Sequence, residues 1–367
     1  MKIGLVYSLS GPHAEMERSI LDGALTAVQE INSRGGVLGD ELAVAVVDGR
    51  SEVASTARGV DRLCRDDHVD VVVGGYTSAA RVAMRPAIHA HRTLLMYPTY
   101  FEGEEQDPRV FYCGAAPNQY LADYVGWIAS TLGRRLYLLG SDYIYPRVLG
   151  EAIRRLAGPH DLEIVADRYV PLGENRFDDI LDDIAATGPS VVVCTVVGSD
   201  STSAFYTQFH SAGYTSDSLP IAATVTTAID LARMPTQVSD GHYMAGTYFA
   251  RLDSATNRAY RRSLFDVRGQ RRTHSAQVGA YNAVHAVGLA ADHAGSTDAP
   301  ELSAALRCVR FDGNPEGLPF YFRGDHYSAH PTYVGRASGG DYDVVAEFSP
   351  RLPQPWWSGH VPLARSE

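Results

Sequence analysis

Tyrosines and hydroxyls gather where apolar runs end. Gly140-Ser141-Asp142-Tyr143-Ile144-Tyr145-Pro146-Arg147 follows the run Leu136 to Leu139 and sets two tyrosines just past it. Three other runs end alike: Tyr76-Thr77-Ser78 after Val71-Val72-Val73, Tyr97-Pro98-Thr99 after Leu94-Leu95, and Thr224 to Thr227 after Ile221-Ala222-Ala223. Aromatic walls with few polar groups are the usual lining of a small-molecule cleft, and parallel strand ends are where α/β proteins hold ligands. The chemistry on offer is recognition by ring faces and neutral hydrogen bonds. Ser78 precedes an apolar-periodic helix and reads as its N-cap, beside free N–H groups that can receive a ligand carbonyl.

Catalytic signatures are missing. The chain has no G-x-S-x-G, no H-E-x-x-H, no Walker G-x-x-x-x-G-K and no G-x-G-x-x-G after its first strand. With no nucleophile and base pair in view, an enzyme is not expected and no cofactor is implied. His326 and His330 lie four apart beside Asp325, but Gly324 and Pro331 bracket them in what reads as loop and strand. Metal ligands at that spacing need a helix, so both are expected at the surface, as are His89 and His91. Cys64, Cys113, Cys194 and Cys308 stand far apart without a C-x-x-C pair, which argues against zinc and reads as small buried hydrophobes. A disulfide between two of them stays open.

Elements to position these residues follow from periodicity. Residues 3–8 read as a buried strand, and 15–32 as an amphipathic helix with apolar Ile20, Ala24, Ala27, Val28 and Ile31. Strands at 42–48, 69–73 and 93–97 alternate with helices at 54–66 and 79–89, which predicts right-handed βαβ crossovers and a parallel sheet. A second round repeats the plan, with helices at 120–132, 147–157, 178–186 and 201–211 and strands at 135–140, 162–170, 191–197 and 219–224. The last third is helix-like at 255–268, 275–294 and 300–307 and has no sheet of its own. The chain is therefore expected to cross back to the first lobe near 241–249 and to return beyond Phe311, where 320–322 and 332–336 read as strands. The lobes so defined are 1–117 with 248–325, and 118–247 with 326–367.

With 367 residues, two domains are the prior. Lys and Arg number 32 against 43 Asp and Glu, a net charge of -11, so direct contact with nucleic acid or anionic membrane is disfavoured. Any role in gene control would run through a protein partner. Met1 to Tyr7 runs straight into Ser8-Leu9-Ser10-Gly11-Pro12 without a leader pattern, so the chain as written is expected in the cytoplasm. A leader removed ahead of Met1 would instead make it periplasmic or extracytoplasmic. No apolar stretch approaches the roughly 20 residues of a membrane span. No interface signal stands out, and a homo-oligomer stays open.

Four blocks carry a family resemblance: Gly140 to Arg147, Tyr97 to Gly103, Ala116-Pro117-Asn118-Gln119 and Thr195-Val196-Val197-Gly198. They resemble the bacterial short-chain amide and urea binding proteins of the type I periplasmic-binding-protein family, above all the branch of the cytoplasmic amide sensor that negatively regulates an aliphatic amidase operon. Similarity runs from Leu5 to about Pro331. It implies an α/β fold of two Rossmann-like lobes with parallel sheets, joined by three crossovers and closing on ligand like a hinged trap. Carried over position by position, the family's ligand contacts fall on Tyr76, Ser78, Tyr97, Pro98, Thr99, Tyr143, Tyr145, Val197 and Thr227. Tyr100-Phe101, 199–203 and the tail 337–367 depart from the sensor pattern.

That pocket holds no obvious carboxylate, although Asp142, Glu102 and Asp230 stand nearby in sequence. Burying an α-ammonium without an acidic partner would cost several kcal/mol, so a small neutral amide or urea is expected. A four-atom ligand at about -1.5 kcal/mol per heavy atom reaches about -6 kcal/mol, a Kd of tens of micromolar. The resemblance implies a sensor that closes on its ligand and releases an RNA-binding antitermination regulator. The alternative is the substrate-binding component of an ABC importer for urea or short-chain amides, docking on an ABC permease.

Overall fold

The computed structural model describes residues 1–357; the end of the expected second lobe, 358–367, lies outside the described residues. The chain opens with β1 (Lys2–Tyr7), α1 (Ala14–Ser33), β2 (Ala43–Asp48), α2 (Val53–Arg65), β3 (Val71–Gly74), α3 (Ser78–Ala90), β4 (Leu94–Tyr97) and β5 (Val110–Tyr112). The continuous apolar runs of β1, β3, β4 and β5 are buried almost throughout, as strands covered on both faces must be. They pair in parallel in the order β2-β1-β3-β4-β5. Because the chain steps outward from β1 to β2 and then back past β1 to β3, the strand order reverses between β1 and β3. A crevice opens at such a point.

The second round builds α4 (Pro117–Thr131), β6 (Arg135–Ser141), α5 (Ile144–Ala157), β7 (Glu163–Val170), α6 (Asp178–Thr187), β8 (Val191–Thr195), α7 (Ser199–Ser211) and β9 (Ile221–Ala223). Two short helices, α8 (Ala228–Leu231) and α9 (Thr236–Ser239), lead to β10 (Tyr243–Gly246). The order β7-β6-β8-β9-β10 repeats the first sheet position for position, with its reversal between β6 and β8. The Val197 N–H donates to Ser141 Oγ at 3.0 Å, tying the two strand ends together at that reversal.

The last third adds α10 (Ala255–Arg268), α11 (Ser275–Ala294), α12 (Ala299–Leu306), β11 (Arg310–Phe311), β12 (Phe320–Tyr321), β13 (His330–Ser338) and β14 (Asp341–Arg351). Apolar nearly all round, α11 is buried from Ala276 through Gly288, and Val278, Val284 and Val287 share one core with Ile3 and Leu5 of β1, Val71 and Val73 of β3, and Ile20 and Ala24 of α1. Glycine lets it approach so closely: a Cβ at Gly279 would lie 2.3 Å from the Pro98 carbonyl oxygen. β13 runs antiparallel to β10, and β14 to β13, extending the second sheet to seven strands.

The chain passes between the sheets at 113–117, 246–250 and 328–330. The passages lie side by side. The Gln119 amide donates to the carbonyls of Ser328 (3.2 Å) and Arg351 (3.3 Å), and the Thr247 N–H donates to the Tyr100 hydroxyl at 2.7 Å.

Several expectations need correction. The return to the second sheet does lie beyond Phe311, but 320–322 is not among its strands: β12 pairs with β11, Phe311, Phe320 and Phe322 pack in the first-sheet core, and Ser328 still pairs with Tyr112. His326, just ahead of that third passage, and His330, at its end, are buried rather than exposed. His326 stacks on Phe111 with centroids 4.0 Å apart, and His330 lies between Ser328 Oγ at 2.6 Å and Glu316 Oε2 at 2.8 Å. His89 is exposed and His91 half-buried, each against a carboxylate, Asp107 and Asp61. Cys64, Cys113 and Cys194 are buried, but Cys308 is exposed, and all four are free. Thr77, not Ser78, caps α3, its hydroxyl accepting from the Ala80 N–H at 3.2 Å.

Candidate ligand cleft

The C-terminal ends of the two sheets face one another across a cavity of about 610 Å³, open solvent at its mouth included. From the first lobe come Tyr76, Ser78 and Thr99; from the second come Tyr143, Tyr145, Val197 and Thr227. These seven of the nine expected residues line one space. The other two stand behind it. The Tyr97 hydroxyl donates to the Tyr76 carbonyl at 2.7 Å, its ring lies beneath the Arg81 guanidinium, and Pro98 is buried with its carbonyl turned to Gly279. Both support the wall rather than form it.

Residues that the strand-end pattern did not flag complete the lining. Met16 enters from α1, Met244 from β10, and His274, Ser275 and Ala276 from the start of α11. A hydroxyl opening an apolar helix is the sequence signal for Ser275; no local pattern marks the two methionines. Tyr100 stacks on Tyr120 at 5.2 Å, and its hydroxyl lies 2.9 Å from Ser275 Oγ and 3.1 Å from Thr247 Oγ1. The Tyr120 and Tyr145 hydroxyls are 2.7 Å apart. The aromatic back wall thus joins both lobes to the passages between them.

Charge is almost absent from this lining. No Lys or Arg contributes to it, and burial pushes the His274 imidazole down to about 3, leaving it neutral against Ser19 Oγ at 2.7 Å. Burial likewise pushes the phenols of Tyr76, Tyr143 and Tyr145 up, so they remain protonated. Of the three acidic residues nearby in sequence, Asp142 is exposed and paired with Arg147 at 2.6 Å. Glu102 lies behind Ser78, bonded to Arg81. Asp230 is buried beside the cleft, but it already accepts from Ser199 Oγ (2.6 Å) and from the Thr227 N–H (2.6 Å) and hydroxyl (2.9 Å). Burial raises its carboxyl, with those hydrogen bonds opposing.

Among the described residues, no group of three or more His, Cys, Asp or Glu could hold a metal ion. Nor is any described helix long and apolar enough to cross a membrane. What remains is a neutral, aromatic, hydroxyl-bearing cleft between two lobes, suited to gripping a small molecule.

Comparison with known proteins agrees with this architecture. A Leu/Ile/Val-binding protein homolog of Brucella melitensis is 24% identical over 322 residues, 85% of this chain and 83% of that one. The Leu/Ile/Val-binding protein BraC3 of Rhizobium johnstonii is 31% identical over 97 residues, so the chain spans only 26% of its length. An ABC transporter solute binding protein from R. palustris, solved with benzoate, superposes with a TM-score of 0.85 at 20% identity, covering 96% of this chain and 97% of that one, a likeness of fold. The family of the periplasmic binding protein domain matches residues 1–362. Its members bind solutes and are not enzymes. A chain whose paired sheets close around a neutral cleft, and whose sequence matches that family almost end to end, belongs to the periplasmic binding protein domain family.

Proposed function

We propose that this chain is a solute-binding protein for small neutral amides or urea, held between lobes formed by 1–117 with 248–325 and by 118–247 with the remainder. The observation that supports the ligand class is the lining: rings and hydroxyls with no cation to offset a carboxylate and, among the cavity's own residues, no carboxylate to hold an ammonium; the Glu17 carboxyl in the adjoining hollow behind Tyr76 accepts from the Ser8 N–H at 2.7 Å and is pushed up to about 7 by burial. Leaving either charge buried and unpaired costs several kcal/mol. The benzoate of the R. palustris protein and the amino acids named for the Leu/Ile/Val-binding relatives are therefore poor fits here.

Delivery of the solute to an ABC permease is the role favoured by the relatives, and in that role the chain would work outside the cytoplasmic membrane. The regulatory role, in which closure on amide releases an antitermination protein, is favoured by the block Gly140 to Arg147 that resembles the amide sensor. Linkage separates them: a partner released by amide must weaken amide binding by the same factor when added. An unchanged amide Kd in its presence removes the sensor role.

Calorimetric titration with acetamide, propionamide, urea, leucine and benzoate tests the ligand class. Acetamide or urea is expected to bind with a Kd of tens of micromolar, and Tyr143→Ala to abolish most of that affinity. Leucine or benzoate binding in place of the amides would remove the neutral-ligand reading.

A further inference from the structure

Two hydroxyls on the first-lobe wall have their protons turned away from the cavity. Ser78 donates to Glu102 Oε2 at 2.6 Å, and Thr99 donates to the Gly75 carbonyl at 3.1 Å. A hydroxyl has one proton, so what each oxygen has left to offer a ligand is a lone pair. Glu102 is itself held in place. Its Oε1 is bonded by Arg81 Nη2, and that guanidinium is 1% exposed, reaches Glu105 Oε1 at 3.3 Å and lies over the rings of Tyr97 and Phe101. Burial pushes the Glu102 carboxyl up, but Arg81 and the Ser78 hydroxyl outweigh it and hold it below the usual range. An ionised carboxylate accepts only, so Ser78 cannot reverse its hydrogen bond.

We propose that Glu102 is a positioning residue that sets ligand specificity through Ser78: by taking the Ser78 proton it makes Ser78 Oγ a fixed acceptor, which admits an N–H-bearing head group and rejects a carboxylate. This rests on the neutral-amide reading and names the group responsible for it. An amide NH₂ can donate to the Ser78 and Thr99 oxygens, whereas a carboxylate would set lone pair against lone pair beside a buried anion. The Tyr76 and Tyr143 hydroxyls make no hydrogen bond among the described residues and adapt to either polarity, so the fixed polarity of the first-lobe wall belongs to Ser78 and Thr99, matched across the cleft by Thr227, whose hydroxyl donates to Asp230 Oδ2 at 2.9 Å.

The test is calorimetric titration of the full chain with acetamide, acetate and acetone, which share size and differ in what the head group donates. Wild type is expected to favour acetamide over both others by about 10- to 100-fold, the scale set by one unpaired buried hydrogen-bonding group. Glu102→Gln, checked for folding by thermal melting, is expected to shrink the acetamide-to-acetate ratio about 10-fold, because Ser78 is then free to donate into the cavity. A folded Glu102→Gln protein with an unchanged ratio overturns the role of Glu102 alone, leaving the amide reading in place. Ser78→Ala keeps the Glu102–Arg81 pair and is expected to lower acetamide affinity about 10-fold without changing acetone. Should Glu102→Gln not fold, Ser78→Ala decides, and equal losses for both ligands overturn the proposal. A wild type that binds neither acetamide nor urea overturns the amide reading and this inference with it.

Discussion

Gly279→Ala places one methyl group where no ligand reaches, yet it should damage binding. The new Cβ would stand 2.3 Å from the Pro98 carbonyl oxygen, a backbone atom that cannot rotate away. Ordinary non-bonded contact needs about 3.5 Å, so α11 or the segment after β4 must give by about 1 Å. Both carry cleft residues: Ser275 and Ala276 open α11, and Thr99 follows Pro98 directly. Displacement of about 1 Å in a positioned site can cost about 100-fold, and overpacking a core costs about 1–3 kcal/mol, against about 1 kcal/mol gained from alanine in a helix. We therefore expect acetamide affinity to fall about 10- to 100-fold with a modest loss of stability, read by calorimetry and urea denaturation. Gly288→Ala is the control on the same helix, since its Cβ meets Ile31 Cδ1 at 3.3 Å, the mobile end of a side chain. It should bind normally and be stabilised by up to about 1 kcal/mol. Acetamide affinity within about 3-fold of wild type in Gly279→Ala, or equal damage in Gly288→Ala, would refute this account of the wall.

Two further outcomes follow from charges. Arg233 bridges the lobes, bonding Asp200 on its own lobe at 2.5 Å and Glu15 of α1 on the other at 3.2 Å. Exposed pairs are worth about 0–1 kcal/mol, so Arg233→Ala should speed ligand release no more than about 5-fold, an effect that stopped-flow measurements should see vanish in high salt. His242 is buried, its imidazole pushed down to about 3 by desolvation, and its Nδ1 accepts from the Ile221 N–H at 3.0 Å. Between about pH 3 and 6.5 the unfolded chain binds the proton that the folded chain refuses, so this contribution is intact above pH 6.5 and is lost on acidification. At pH 5 wild type should have lost about 2 kcal/mol more than His242→Asn relative to pH 7.5, and parallel pH profiles in denaturant titrations would contradict this.

The sequence showed most of the sheet architecture because continuous valine runs and 3.6-residue periods are local signals. What it hid was set by distant partners. β5 is three residues long, too short for any period, and becomes a strand only because β4 lies beside it. β14 pairs with β13 across the Gly339-Gly340 turn, where both glycines have positive φ, a Gly-Gly pair that is itself a local hairpin signal. The burial of His326, just ahead of the third passage between lobes, and of His330, at its end, is marked by no local pattern. At the cleft, strand-end tyrosines and hydroxyls were visible because their spacing follows the sheet. Tyr97 and Pro98 carried the same signal, yet distant partners decide that they support the wall: the Tyr97 ring packs under Arg81, and Pro98 turns its carbonyl to Gly279 of α11.

The placement of α11 has a consequence for synthesis on the ribosome. The first sheet is complete in sequence by Tyr112, yet one of its faces, covered over β1 by α1, is covered over β3 and β4 by a helix that begins at Ser275. At about 5–20 residues per second, that face waits on the order of ten seconds or more for its cover, while all of β6 to β10 emerges. The N-terminal lobe, first to be made, is therefore expected to finish folding after the central strands of the other lobe, with the apolar β3 and β4 surface beside α1 the one that chaperones would meet.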